Sequence, residues 1–212
     1  MKTSMDDYLR ATDVIDWQSP GVLEQARVLG ARQTDEAETA RACFEWVRDH
    51  IRHSGDSHAP VTTCRASQVL RHRTGWCFAK SHLLAALLRA NGIPAGLCYQ
   101  RLRRDDDDGF TLHGLNAVHL PELGWYRIDP RGNKPGVDAQ FYPPDERLAW
   151  PIEHAGEADF PHIWSDPAGA VVECLQNHDG WAAVASNLPD VGAPAMATQH
   201  RALHPTVARR HG

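Results

Sequence analysis

The run from Arg73 to Gly92, Arg-Thr-Gly-Trp-Cys-Phe-Ala-Lys-Ser-His-Leu-Leu-Ala-Ala-Leu-Leu-Arg-Ala-Asn-Gly, constrains this chain more than any other stretch. Thr74-Gly75 reads as a turn. A helix of about four turns follows and stops at Asn91-Gly92, with Pro94 just beyond. Ala79, Leu83, Ala86, Leu87 and Ala90 share one face, and Leu84, Ala85 and Leu88 widen it until little polar surface is left. A helix apolar on most sides has to be buried. The chain is therefore expected to drive a core helix through its interior, with Cys77 in the first turn.

That position has a chemical consequence. The free N–H groups and the dipole at a helix N-terminus stabilise a thiolate, and the Cys77 N–H is placed to serve a developing oxyanion. Position alone does not separate a nucleophile from a small buried cysteine, which is how most free cysteines behave. Partners have to decide.

A chain of 212 residues, 42% hydrophobic and 23% charged, fits a globular protein of one domain. We assign residues 1–190 to that domain, with a core at about 35–135, and expect 191–212 to form a loosely ordered tail. No apolar run reaches membrane-spanning length and no apolar leader opens the chain, so the expectation is a cytoplasmic protein. The net charge of −5, with no basic stripe, argues against nucleic acid as a partner. Five scattered cysteines without C-x-x-C fit neither a disulfide framework nor a zinc site. Thirteen histidines lack H-E-x-x-H or H-x-H spacing, so no metal or other cofactor is expected.

Helices are predicted from Pro20 to Gly30, from Thr34 or Asp35 through the stripe Ala40, Cys43, Phe44, Val47 and Ile51, over Ala66–Leu70, and near Ala168–Gln176. Cys43 reads as core filler. After Gly92 the pattern alternates, giving strands at Ala95–Leu102, Phe110–Leu120 and Trp125–Asp129, with Asp105–Asp108 at a solvated loop tip. Helices followed by a strand meander make the fold class α+β.

The second hairpin offers Cys77 a base, His113, and an orienting carboxylate, Asp129. A thiolate–imidazolium pair needs the imidazole beside the thiol and a third group to fix its tautomer. Register is the condition. If Leu120 faced Trp125, Asp129 would oppose Asn116 on the wrong face. An odd loop, or a bulge at Gly124, places it opposite Leu115 or Ala117; opposite Leu115 it is diagonal to His113. We expect the odd loop or the bulge. His82 and His119 are rival bases, the first turned away around the helix and the second far along the strand.

Gly75-Trp-Cys77, followed by Ala79 and the run to Pro94-Ala95, resembles the nucleophile motif of the transglutaminase-like superfamily. His113-Gly-Leu-Asn-Ala-Val-His-Leu-Pro121, with Gly124-Trp125 and Ile128-Asp129-Pro130, is similar to that family's His and Asp strands, and the His-to-Asp spacing of 16 agrees. The match covers about Ala66 to Pro130, and Ala40–Arg48 resembles the bacterial branch. The resemblance implies a papain-like α+β core, with the cysteine helix on an antiparallel sheet. It implies Cys77 as nucleophile, His113 as base and Asp129 as orienting carboxylate. The chain departs from the family pattern at Leu115, Ala117 and Trp76, and its side-chain oxyanion donor is unassigned, with Gln68 and Trp76 as candidates. The implied activity is acyl transfer on an amide of a protein or peptide through a thioester. Water as acceptor makes a protease or amidase; an amine makes a transglutaminase. The alternative is an inert binding or scaffold domain that keeps the fold.

Overall fold

The computed structural model describes residues 4–104 and 109–192. The Asp105–Asp108 loop tip, and all but the first two residues of the expected tail, lie outside the described residues. Among the described residues no helix is long and apolar enough to cross a membrane.

In chain order the elements are α1 (Pro20–Gly30), α2 (Glu36–His50), β1 (Arg52–His53), α3 (Ala66–His72), β2 (Thr74–Gly75), α4 (Cys77–Ala90), β3 (Ala95–Arg103), β4 (Phe110–Leu120), β5 (Gly124–Ile128), β6 (Ala158–Asp159), α5 (Gly169–Asn177) and α6 (Gly180–Ala185). Asp35 caps α2 by accepting the Glu38 N–H at 2.8 Å. Ile51, placed on the helical stripe by its spacing, sits just past the helix in extended backbone.

Every residue of α4 from Cys77 to Arg89 is buried. The helix packs against α1, α2 and α3 on one side and against β3 and β4 on the other. The sheet is antiparallel in the order β5-β4-β3-β6. A core helix wrapped by helices and laid on an antiparallel sheet is the α+β arrangement expected from the sequence.

The helix carries polar groups that its apolar pattern hides. Arg89 ends it as a buried clamp, donating to the carbonyls of Ala95 (2.8 and 3.1 Å), Arg10 (2.9 Å) and Ser165 (2.7 Å). Lys80 donates to the carbonyls of Arg48 (3.2 Å) and Ile51 at the end of α2.

Two local features differ from the sequence expectation. Thr74-Gly75 forms the short strand β2, pairing in parallel with Arg52-His53, rather than a free turn. The meander also gains an edge strand, β6, from the long segment after residue 133.

Candidate active site

The chain fixes the start of α4 from several directions. Ser54 N donates to Gly75 O at 3.0 Å, and Thr63 Oγ1 donates to Thr74 O at 2.9 Å. Gly75 is needed because a Cβ there would stand 3.1 Å from Ala79 Cβ and 3.4 Å from Lys80 N. Trp76 is the N-cap residue, and no side chain caps the helix. The Trp76 side chain therefore satisfies none of the first-turn N–H groups beside Cys77.

The partner strand is brought in just as closely. A Cβ on Gly114 would fall 2.7 Å from Phe78 Cδ1 and 3.1 Å from Phe78 Cα. Only glycine lets β4 cross the first turn of α4 at that distance. Asn116 Nδ2 then donates to Ser81 O (2.9 Å) and Gly96 O (3.2 Å), fixing how far the strand slides along the helix. His113, next to Gly114, thereby reaches the Cys77 thiol.

The hairpin register is the odd-loop one. Leu120 pairs with Gly124 and Asn116 with Ile128, leaving Pro121, Glu122 and Leu123 as the loop. Gly124 takes a φ of +74°, in the left-handed region. Asp129 consequently lies across from Leu115 and diagonal to His113. His113 Nε2 and Asp129 Oδ2 are 2.8 Å apart. Asp129 Oδ2 also accepts the Ala149 N–H at 3.0 Å, and Oδ1 accepts the Arg131 N–H at 3.1 Å.

The electrostatics follow from this packing. Burial penalises the charged imidazole, but Asp129 and then Cys77 outweigh it and raise His113 to about 10. Burial likewise opposes the Asp129 carboxylate, while the His113 charge and two backbone N–H donors hold its pKa below the usual range. With Nε2 occupied by Asp129, Nδ1 is the ring atom left to face sulfur. Trp150 stands edge-on to the imidazole at 4.8 Å. Cys77 and His113 open onto a cleft of about 650 Å³, also lined by His53, Trp76, Arg131 and Trp150.

The rival residues lie elsewhere. His82 is fully buried, with Nδ1 2.8 Å from Cys64 O, and burial lowers it to about 4. His119 stacks edge-on against Trp125 near the hairpin turn. Gln68 Oε1 accepts the N–H groups of Cys64 (3.1 Å) and Arg65 (3.0 Å), so it serves the N-terminus of α3. Trp76 lines the cleft, and its buried Nε1 has no hydrogen-bond partner. Leu115 and Ala117, two of the departures from the family pattern, are fully buried against Cys98 in a small cluster of their own.

Sequence reasoning missed His53, Trp150 and Arg131 as cleft residues. Only Arg131 left a signal, as a charge inside the turn Asp129-Pro-Arg-Gly-Asn133. Among the described residues no group of three His, Cys, Asp or Glu side chains is placed to hold a metal.

Comparison with known proteins bears on the whole arrangement. No curated protein matches the chain. Among solved structures, a protein from Cytophaga hutchinsonii assigned as a cysteine protease superposes with a TM-score of 0.51 at 17% identity, covering 62% of this chain and 43% of its own. The periplasmic domain of TgpA from Pseudomonas aeruginosa gives a TM-score of 0.46 at 18% identity, covering 61% of this chain and 48% of its own. The chain thus spans less than half the length of either structure, and at 17% identity the first likeness establishes the fold alone. The family model described as the Transglutaminase-like superfamily matches residues 25–130, half of the chain, including Cys77, His113 and Asp129. With that match on a helix-and-sheet core of this kind, the chain belongs to the transglutaminase-like superfamily.

Proposed function

We propose that this protein is a cysteine-dependent acyl-transfer enzyme acting on an amide of a protein or peptide, with water as the acceptor. The observation that carries the reading is the His113–Asp129 contact of 2.8 Å in a buried site that the Cys77 thiol shares.

Cys77 Sγ attacks the amide carbonyl carbon, and the oxygen takes the charge. The Cys77 N–H and Trp76 Nε1–H are the donors for that oxyanion. His113, protonated, gives its proton to the leaving nitrogen as the C–N bond breaks, leaving a thioester. The neutral imidazole then takes a proton from water, whose oxygen attacks the thioester. The acid leaves and the thiolate returns. Asp129 holds the ring orientation throughout and stabilises the imidazolium.

The test is iodoacetamide labelling against pH, read by intact mass and peptide mapping, on wild type and His113→Ala. Burial pushes Cys43 and Cys98 up to about 12 and Cys64 up to about 11, so their thiols stay silent. Cys77 alone is expected to be alkylated at about pH 6, with His113→Ala abolishing that reactivity. A Cys77 that labels no faster than Cys64, unaffected by His113→Ala, overturns the reading and leaves the inert scaffold. Amide and amine-acceptor substrates then decide between hydrolysis and transglutamination.

A further inference from the structure

A second cavity of about 410 Å³ lies beside the Cys77 cleft, and the two share His53, Arg131 and Lys134. Its lining is cationic, with Arg48, Arg52, Lys80, Arg131 and Lys134 against Asp49 and Asp56. Both carboxylates are already engaged. Asp49 takes Arg48 at 2.7 and 2.8 Å, while Asp56 is shared by Arg131 (2.8 Å) and Lys134 (3.0 Å). Among the described residues, Arg52 and Lys80 have no carboxylate within ion-pair distance.

Two of the residues that line both cavities each carry a buried nitrogen that makes no hydrogen bond: Arg131 Nε and His53 Nδ1. The Arg131 side chain is 5% exposed and that of His53 10%. His53 Nδ1 lies 3.7 Å from Asp56 Oδ2, beyond hydrogen-bonding reach. Folded proteins keep few such orphaned groups, because each costs stability unless something else satisfies it. The electrostatics agree. Burial and then the Arg131 charge bring Lys80 down to about 7, and burial together with Arg131 and Lys80 holds His53 well below the ordinary histidine range, against Asp56.

The junction adjoins the reacting atoms. The Arg131 guanidinium sits 5.2 Å over the Trp150 ring, and Trp150 is the ring edge-on to His113. His53 stands edge-on to Trp76 at 5.2 Å, and Trp76 precedes Cys77.

We propose that this junction is a carboxylate subsite: Arg131 and His53 hold a carboxylate that the acyl donor carries close to the amide attacked by Cys77. The inference rests on the acyl-transfer reading and narrows its substrate to acidic amides. The carboxylate belongs to a peptide, at its free terminus or on a neighbouring acidic side chain.

The test measures binding to Cys77→Ser by calorimetry. The probes are N-acetylglutamine, its neutral counterpart N-acetylglutaminamide, and the dipeptide N-acetyl-Gln-Asp-amide. One of the two acids is expected to bind about tenfold tighter than the neutral amide, and which one it is separates a chain terminus from a side chain. Adding Arg131→Gln should bring that acid to the level of the neutral amide. Arg131→Lys, which keeps the charge but removes Nε, is the second variant should Arg131→Gln not fold, and it too should lose the preference for that acid. Equal affinity for all three probes, or no saturable binding, overturns the subsite whatever the variants do. Iodoacetamide labelling of wild type separates the two claims. Labelling with equal affinities leaves acyl transfer standing without the subsite; acid-selective binding to a chain whose Cys77 does not label leaves the subsite without acyl transfer.

Discussion

Replacing Gly114 by alanine tests the geometry on which the candidate site depends. The new methyl would meet Phe78 Cδ1 at 2.7 Å, Phe78 Cα at 3.1 Å and Phe78 N at 3.3 Å. The ring atom can swing aside only against close packing, since Phe78 is 1% exposed. The Cα and N contacts are backbone and cannot swing at all. Restoring an ordinary carbon–carbon distance of about 3.5 Å or more requires β4 and α4 to part by roughly half an ångström. Overpacking of this kind costs about 1–3 kcal/mol, offset by about 0.4–1 kcal/mol from the stiffer unfolded chain. The expected net loss is about 1–2 kcal/mol, read as a lower urea midpoint. Since misplacement by about 1 Å can cost a hundredfold, half of that should slow Cys77 alkylation at about pH 6 by roughly tenfold. Gly169→Ala is the control, because a Cβ there meets nothing within 4 Å at the start of α5. It should match wild type in labelling and be at least as stable. If Gly114→Ala also matches wild type in both measurements, the close crossing does not set the site.

Lys80→Met tests a buried charge. Lys80 falls from an ordinary 10.5 to about 7, so between those values the unfolded chain binds the extra proton and wild-type stability should rise with pH. The penalty is fully present below about pH 7. Relative to Lys80→Met the rise should be on the order of 4 kcal/mol across the window. Urea unfolding at both ends checks it, and a flat difference refutes it. Asp129→Asn keeps the shape but sets an amide NH2 against at least one of the three donors that the carboxylate now accepts. About 1–3 kcal/mol of stability should be lost, and labelling at about pH 6 should slow by about tenfold or more as the imidazolium loses its counter-charge. Stability and labelling equal to wild type would contradict the carboxylate's placement.

The core helix was legible because its apolar residues leave no polar face. The hairpin register was legible because side chains alternate with period two, so the parity of the Pro121–Leu123 loop decides where Asp129 points. What stayed hidden depends on distant backbone. Nothing local marks Lys80 as buried, since its acceptors lie 29 and 32 residues away in sequence. The Arg131–Asp56 pair is separated by 75 residues. Two-residue strands such as β1 and β2 are too short to show a period. Nothing local marks Gly114 as the residue that permits the crossing of β4 over α4, because the Phe78 atoms it makes room for lie 36 residues away in sequence.

The Arg89 clamp bears on where the smallest autonomous unit of this chain can be cut. The family match runs from 25 to 130, yet two of the three carbonyls around this guanidinium come from Arg10 and Ser165. A fragment trimmed to the family match would lose two of the three carbonyls that accept from Arg89, together with the chain that covers them, and should be less stable than the whole chain. The helix that carries Cys77 is thus tied down at its far end by carbonyls from both sides of the family match, in segments that supply none of the Cys77, His113 and Asp129 side chains.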